Sequence, residues 1–353
     1  MRTDDLKQAW PAPSRPCPVL FIGAGGIVQN AHIPAYRRLG IPFHGFFDLD
    51  EKASARAREL AGSGQVLSTL AEAVCQPGVV FDVALPASAV YSVLEALPDR
   101  ASVLIQKPLG ETLEEARKIV ALCRRKQLLA AVNLQLRFSP GLLALRDAVE
   151  RELVGRVIDV EVRVNAYTPW QLWPFLRGIP RHELLYHSIH YLDFIRSLLG
   201  EPLGVYSRAV RHPSLSEYSD TRSATIVDYG DQCRVCLSVF HGHDYGPRHA
   251  MSQIKVEGSQ GAIVAKLGVN LNYPEGEPDT LELNLDRRVW QSVALRGSWF
   301  PEAFEGTMSN LQRYAAGEDD VLWTSVDDAA RTMALVEACY LSSACGGTPI
   351  PSV

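Results

Sequence analysis

Val19-Leu20-Phe21-Ile22-Gly23-Ala24-Gly25-Gly26-Ile27-Val28 is an apolar strand that runs straight into a glycine turn. Gly23 permits a sharp turn after the strand, and Gly25, lacking a Cβ, lets an anion approach the main chain. Ile27 to Leu39 reads as the following helix, whose first N–H groups favour a phosphate. A second strand, Phe43-His44-Gly45-Phe46-Phe47, ends in Asp48. An acidic side chain about 20 residues beyond such a turn accepts hydrogen bonds from ribose hydroxyls. Gly23, Gly25, Gly26, Ile27 and Asp48 thus form a candidate dinucleotide site. The cofactor expected is NAD, because a carboxylate repels the ribose phosphate of NADP. Val28 replaces the third glycine of the usual pattern, which predicts looser helix–strand packing. The competing reading is a tight turn without a ligand.

Outward from this turn, strand and helix alternate to about Asn133, the signature of a parallel sheet covered on both faces. Val79–Leu85 is a nearly continuous apolar strand ended by Pro86. Ser102–Ile105 is ended by Gln106-Lys107-Pro108, Thr112–Lys126 is an amphipathic helix, and Leu128–Val132 is the sixth strand. Beyond about residue 138 the texture changes to period-two alternation, at Val157–Val164, Gly204–Val210, Arg222–Tyr229, Gln232–Phe240 and Ser252–Glu257. This predicts a large open, mainly antiparallel sheet with one free face. Helices are predicted at Leu184–Leu199, Pro301–Ala316 and Val326–Cys345. The expected organisation is an irregular extension (1–16), a doubly wound α/β domain (17–137) and an α+β domain (138–353) for substrate binding and oligomerisation.

Composition narrows the function. A chain of 353 residues exceeds ordinary single-domain size. The net charge of −5, with no basic block, disfavours nucleic acid and anionic membranes as partners. No apolar run is long enough to span a bilayer, and no signal peptide opens the chain. Seven scattered cysteines fit reduced thiols in a cytoplasmic protein. Cys233 and Cys236 sit in a strand-like run, where an i,i+3 pair faces opposite ways and does not share a metal.

Ligands of open parallel sheets bind beyond the carboxyl ends of the strands. Leu85 and Pro86, Gln106 and Lys107, and the amides of Asn133 and Gln135 occupy three such ends. Lys107, near a positive nicotinamide ring, is suited to hold or deprotonate a substrate hydroxyl; the plainer alternative is a surface lysine. In Arg181–Asp193, helical spacing places Tyr186, His190 and Asp193 on one face and Glu183, His187 and His190 on an adjoining one. Imidazole beside carboxylate makes a proton shuttle. A metal held by Glu183, His187 and His190 lacks HExxH spacing, so no metal is expected. Trp173 and Arg177, in an irregular aromatic segment, suit the faces and hydroxyls of a sugar. His241 and His243 read as polar loop residues or substrate contacts.

The ordered series of the glycine turn, Asp48, Asp82–Pro86, Lys107-Pro108, Asn133–Phe138, Leu153–Val157 and His190-x-x-Asp193 resembles the glucose–fructose oxidoreductase / inositol dehydrogenase / rhizopine-catabolism (Gfo/Idh/MocA) family. The resemblance runs from Val19 to about Ile350. It implies a Rossmann domain and an NAD-dependent dehydrogenase acting on a secondary alcohol of a sugar, polyol, inositol or sugar acid. Lys107 and His190 would handle the hydroxyl proton, and the open sheet would form a homodimer or homotetramer. Two positions depart from the family pattern: Gln106 stands where glutamate is usual, and Tyr186 where aspartate is common. Tyr186 or His187 is the expected replacement. Alternatives of the same fold are a glycoside-cleaving NAD enzyme and a non-catalytic sensor.

Overall fold

The computed structural model describes residues 5–352. By internal contacts it forms two compact units, one of Lys7–Ala144 with Leu295–Met333, the other built on Leu145–Ala294 with the chain from Ala334 onward.

In the first unit, strands β1 (Val19–Ile22), β2 (Phe43–Phe47), β3 (Gln65–Val66), β4 (Val80–Val83), β5 (Ser102–Ile105) and β6 (Leu129–Val132) form one parallel sheet in the order β3-β2-β1-β4-β5-β6. Helices α1 (Ile33–Arg38), α2 (Glu51–Ala61), α3 (Leu70–Val74), α4 (Ala87–Ala96) and α5 (Leu113–Arg125) connect them. This is the doubly wound order expected from the alternation. Strands β1, β4 and β5 are buried along nearly their whole length, which explains their lack of polar alternation. The strands also end in register. Ile22 pairs with Phe47 and Val83, Val83 with Ile105, and Ile105 with Val132. Residues one or two places beyond them therefore stand in one row.

Residues 295–333 complete this unit. Phe304, Met308 and Leu311 of α8 (Glu302–Ala315) join the same core as Phe21, Tyr36 and Phe46. The amino-terminal extension is also anchored here. Trp10 packs on Phe138 and Trp323 and donates its Nε1–H to Asp319 at 2.8 Å, while Pro11 accepts a hydrogen bond from Ser309 of α8.

In the second unit, β7 (Val157–Asn165), β8 (Gly204–Val210), β9 (Arg222–Asp228), β10 (Arg234–Phe240), β11 (Met251–Gly258), β12 (Ala262–Lys266), β13 (Thr280–Asn284) and β14 (Gln291–Val293) form a sheet in the order β14-β13-β12-β11-β7-β10-β9-β8. It is antiparallel except for the β7–β10 pair. One row of paired residues, Val227, Val235, Val160, Val256, Ile263 and Leu283, is buried. The row on the other face begins with Tyr206, Ile226 and Cys236; Tyr206 and Ile226 are exposed and Cys236 is half-buried. Helix α7 (Ile189–Leu199) belongs to this unit; α6 (Pro140–Glu150) precedes the sheet and α9 (Val326–Cys345) closes the chain. None of the described helices is long and apolar enough to cross a membrane.

Candidate active site

The glycine turn has the shape required of a phosphate cradle. Gly23 has φ +94°, and a Cβ there would lie 2.3 Å from the carbonyl oxygen of Ala84, so only glycine fits. Gly25 and Gly26 are exposed, and a Cβ on Gly25 would meet nothing within 4 Å: the main chain is open to a ligand. The helix expected from Ile27 begins as a π-helical turn, Val28–His32, before α1. No side chain caps its start. Asp48, at the end of β2, accepts hydrogen bonds from the Ala24 N–H at 2.7 Å and the Asp50 N–H at 2.9 Å. These bonds hold the half-buried carboxylate beside the turn. An uncapped turn with exposed glycines and an adjacent fixed carboxylate fits the pyrophosphate and ribose of NAD.

Farther along the same row lie half-buried Leu85, exposed Pro86, and Gln106-Lys107. The Gln106 N–H donates to the Val83 carbonyl at 2.8 Å, and Gln106 Oε1 accepts from the Lys107 N–H at 3.0 Å. The loop beyond is fixed by a capping box. Thr112 accepts from the Glu115 N–H at 3.2 Å, and Glu115 accepts from the Glu111 N–H at 2.8 Å. Such a cap contributes about 1 kcal/mol. Gly110, at φ +88°, admits no Cβ because Glu115 Cβ would be 2.8 Å away. Lys107 is thus carried on a short, braced connection. Burial of its ammonium lowers its pKa to about 8.

Asn133 and Gln135 turn inward. Asn133 is fully buried, accepting from Thr307 Oγ1 at 2.8 Å and donating to His32 Nε2 at 3.3 Å. His32 Nδ1 in turn lies 2.7 Å from Asp82 Oδ2, which also accepts from the Tyr36 hydroxyl at 2.6 Å. Both ends of the Asn133 amide are engaged in this buried chain, and Gln135 is only 2% exposed. Neither therefore offers its amide at the surface of the unit, contrary to the expectation from the strand ends.

In the second unit, Leu184–Ser188 is a π-helical turn leading into α7. The i→i+5 bonding of that turn alters the faces expected from regular helical spacing. Tyr186 is half-buried with its ring 6.0 Å from Phe175; His190 and Asp193 are buried. His187 is half-buried, with Nε2 3.2 Å from Asn270 Oδ1. Its ring lies 4.1 Å from that of His241, nearly perpendicular to it. Glu183, His187 and His241 converge, each offering a donor atom within 4.8 Å of the others. His190 is replaced in this group by a residue from the end of β10. His241 is not a polar loop residue: it is 1% exposed, and burial, with a further contribution from His182, lowers its pKa to about 3. Burial raises the Glu183 pKa. Trp173 packs near Trp170 and Tyr273, while Arg177 is exposed and lies 3.4 Å from Glu217.

Comparison with known proteins agrees with this architecture. Residues 17–134 match the model of the Gfo/Idh/MocA family, described as an oxidoreductase family with an NAD-binding Rossmann fold. D-apiose dehydrogenase of Paraburkholderia graminis is 25% identical over 339 residues, 93% of this chain and 88% of that protein. 1,5-Anhydro-D-fructose reductase of Ensifer adhaerens is 26% identical over 318 residues, 85% of this chain and 91% of that protein. An oxidoreductase from Agrobacterium radiobacter, solved with NAD+, L-tartaric acid and magnesium, shares the fold with a TM-score of 0.76 at 20% identity, over 94% of this chain and 97% of that one. The matched NAD-binding segment, the dehydrogenase relatives spanning most of the chain and the shared two-sheet fold place this protein among the Gfo/Idh/MocA oxidoreductases, as an NAD-binding dehydrogenase.

Proposed function

We propose that the protein oxidises a secondary alcohol of a sugar, polyol, inositol or sugar acid, with Lys107 and His190 handling the hydroxyl proton. One observation carries the reading. Lys107, with its pKa lowered to about 8, follows the same row of strand ends as the glycine turn and Asp48. NAD, when bound, supplies the hydride acceptor. Gly23–Gly26 and Asp48 hold its phosphates and ribose. Neutral Lys107 takes the proton from the substrate hydroxyl, and His190 completes the path of that proton. Tyr186 stands where a carboxylate is common in the family, and its phenol can donate and accept a proton in that place. Trp173 and Arg177 supply an aromatic face and a cation for a polyhydroxy ligand.

Two relatives named for D-apiose and 1,5-anhydro-D-fructose support a sugar or sugar-derived substrate. A reducing cytoplasm suits the seven free thiols. The exposed face carrying Tyr206 and Ile226 suits a second copy of the chain. The test is a panel of aldoses, polyols, inositols and sugar acids, followed by NADH absorbance. Formation of NADH with at least one class is expected. Ligand binding without turnover across the whole panel would refute the reading.

A further inference from the structure

We propose that Glu183, His187 and His241 bind one divalent transition-metal ion of the zinc class, leaving a coordination position for water or an oxygen of a polyhydroxy ligand. Two imidazoles and one carboxylate form a ligand set used by zinc with an open position. Imidazole and carboxylate without thiolate also suit the neighbouring first-row ions.

The geometry supports this in three ways. First, the donors converge. His241 Nε2 is 3.6 Å from Glu183 Oε1, and all three residues offer an atom within 4.8 Å of the others. Zinc bonds of about 2.0–2.2 Å place neighbouring donors roughly 3–3.5 Å apart, so only a slight contraction is needed. The same 3.6 Å is too long for a hydrogen bond, so the pair is not simply an acid bonded to an imidazole.

Second, each donor is oriented from behind. The Thr168 hydroxyl lies 2.7 Å from His241 Nδ1, Asn270 Oδ1 lies 3.2 Å from His187 Nε2, and the Ser188 hydroxyl donates to Glu183 Oε1 at 2.5 Å. Metal-binding histidines characteristically use their far ring nitrogen in this way, which fixes the tautomer and aims the other nitrogen at the ion.

Third, the carboxylate is costly as it stands. The Glu183 side chain is completely buried, and its Oε2 makes no hydrogen bond. A buried carboxylate oxygen without a partner calls for a cation or a proton. Half-buried His187 gives the ion a way in from solvent. Among the described residues, no other three histidine, cysteine or carboxylate side chains converge as closely. HExxH spacing is absent because the third ligand comes from the end of β10, more than fifty residues away in sequence.

The full-length protein, stripped with a chelator and returned to metal-free buffer, is titrated with Zn2+ by calorimetry and with Co2+ by visible absorption. One ion per chain is expected, with the strong d–d bands of low-coordinate Co2+. His241→Ala and Glu183→Gln each lower Zn2+ affinity at least about a hundredfold, and Thr168→Val lowers it roughly 10- to 100-fold. NAD binding and far-UV circular dichroism report that the variants are folded; if either ligand variant unfolds, Thr168→Val decides. No Zn2+ or Co2+ binding by the folded wild type overturns the proposal. So does affinity that is unchanged in all folded variants, or binding that disappears in Cys236→Ser, which would place the ion on thiols. These readouts need no substrate, so they stand apart from the sugar assay.

Discussion

Lys107 is the residue on which the chemistry turns, and its behaviour with pH is specific. A lysine acts as a base only when neutral, and burial lowers this one to about 8. For alcohol oxidation, kcat/KM is therefore expected to rise with pH and level off above an apparent pKa of about 8, or lower with the oxidised cofactor bound. Carbonyl reduction follows the opposite limb. Lys107→Ala should lower kcat about 10²- to 10⁴-fold and remove that limb, while NAD affinity measured by calorimetry stays near wild type. The same group also affects stability. Its folded pKa is below that of a free lysine, so its burial costs the fold most below about 8, and the cost is relieved as pH rises toward 10.5. Asp48→Ala should weaken NAD binding about 10- to 100-fold, from loss of charge-assisted hydrogen bonds, and narrow the preference over NADP. These two residues were legible because local patterns mark them: a strand end before proline, and an acid after the second strand. His241 was not legible. Its neighbours Glu183 and His187 are brought to it by the sheet, and no local spacing records that meeting.

At the scale of elements, alternation located β7 to β11 because each has one buried and one free face. Strands β12 to β14 escaped notice. They are three to five residues long, and the connections between them carry Gly268, Pro274, Gly276 and Pro278. A pattern so short gives little periodicity to read. The π-helical turns at Val28–His32 and Leu184–Ser188 were also invisible, since their sequences suit a regular helix. Helix α8 was correctly expected as a helix, but its role in the first unit depends on tertiary packing. Phe304 is fully buried there, 5.0 Å from the His32 ring. Phe304→Ala should cost about 3–5 kcal/mol in urea unfolding. Thr307→Val, which removes the donor to Asn133, should cost about 1–3 kcal/mol.

Over the whole molecule, the first unit is assembled from two distant pieces of chain. A polypeptide ending at Ala294 lacks α8, and with it Phe304, Met308, Leu311 and the partners of Trp10 and Asn133. It should therefore fail to bind NAD and should lack a cooperative melting transition for this unit. Tight NAD binding by that fragment would show α8 to be dispensable. The open face of the eight-stranded sheet supplies a separate test. Tyr206→Lys together with Ile226→Lys should reduce the sedimentation mass if two copies meet there, and leave it unchanged if they do not.

The discontinuity also sets a timetable for biosynthesis. A ribosome delivers the glycine turn and all six parallel strands early, yet the helix that seals their core emerges only near the end of translation. At about 5–20 residues per second, the unfinished sheet waits on the order of ten seconds with apolar surface uncovered. Chaperone demand in the cell should therefore fall on this nascent intermediate more heavily than on the released chain.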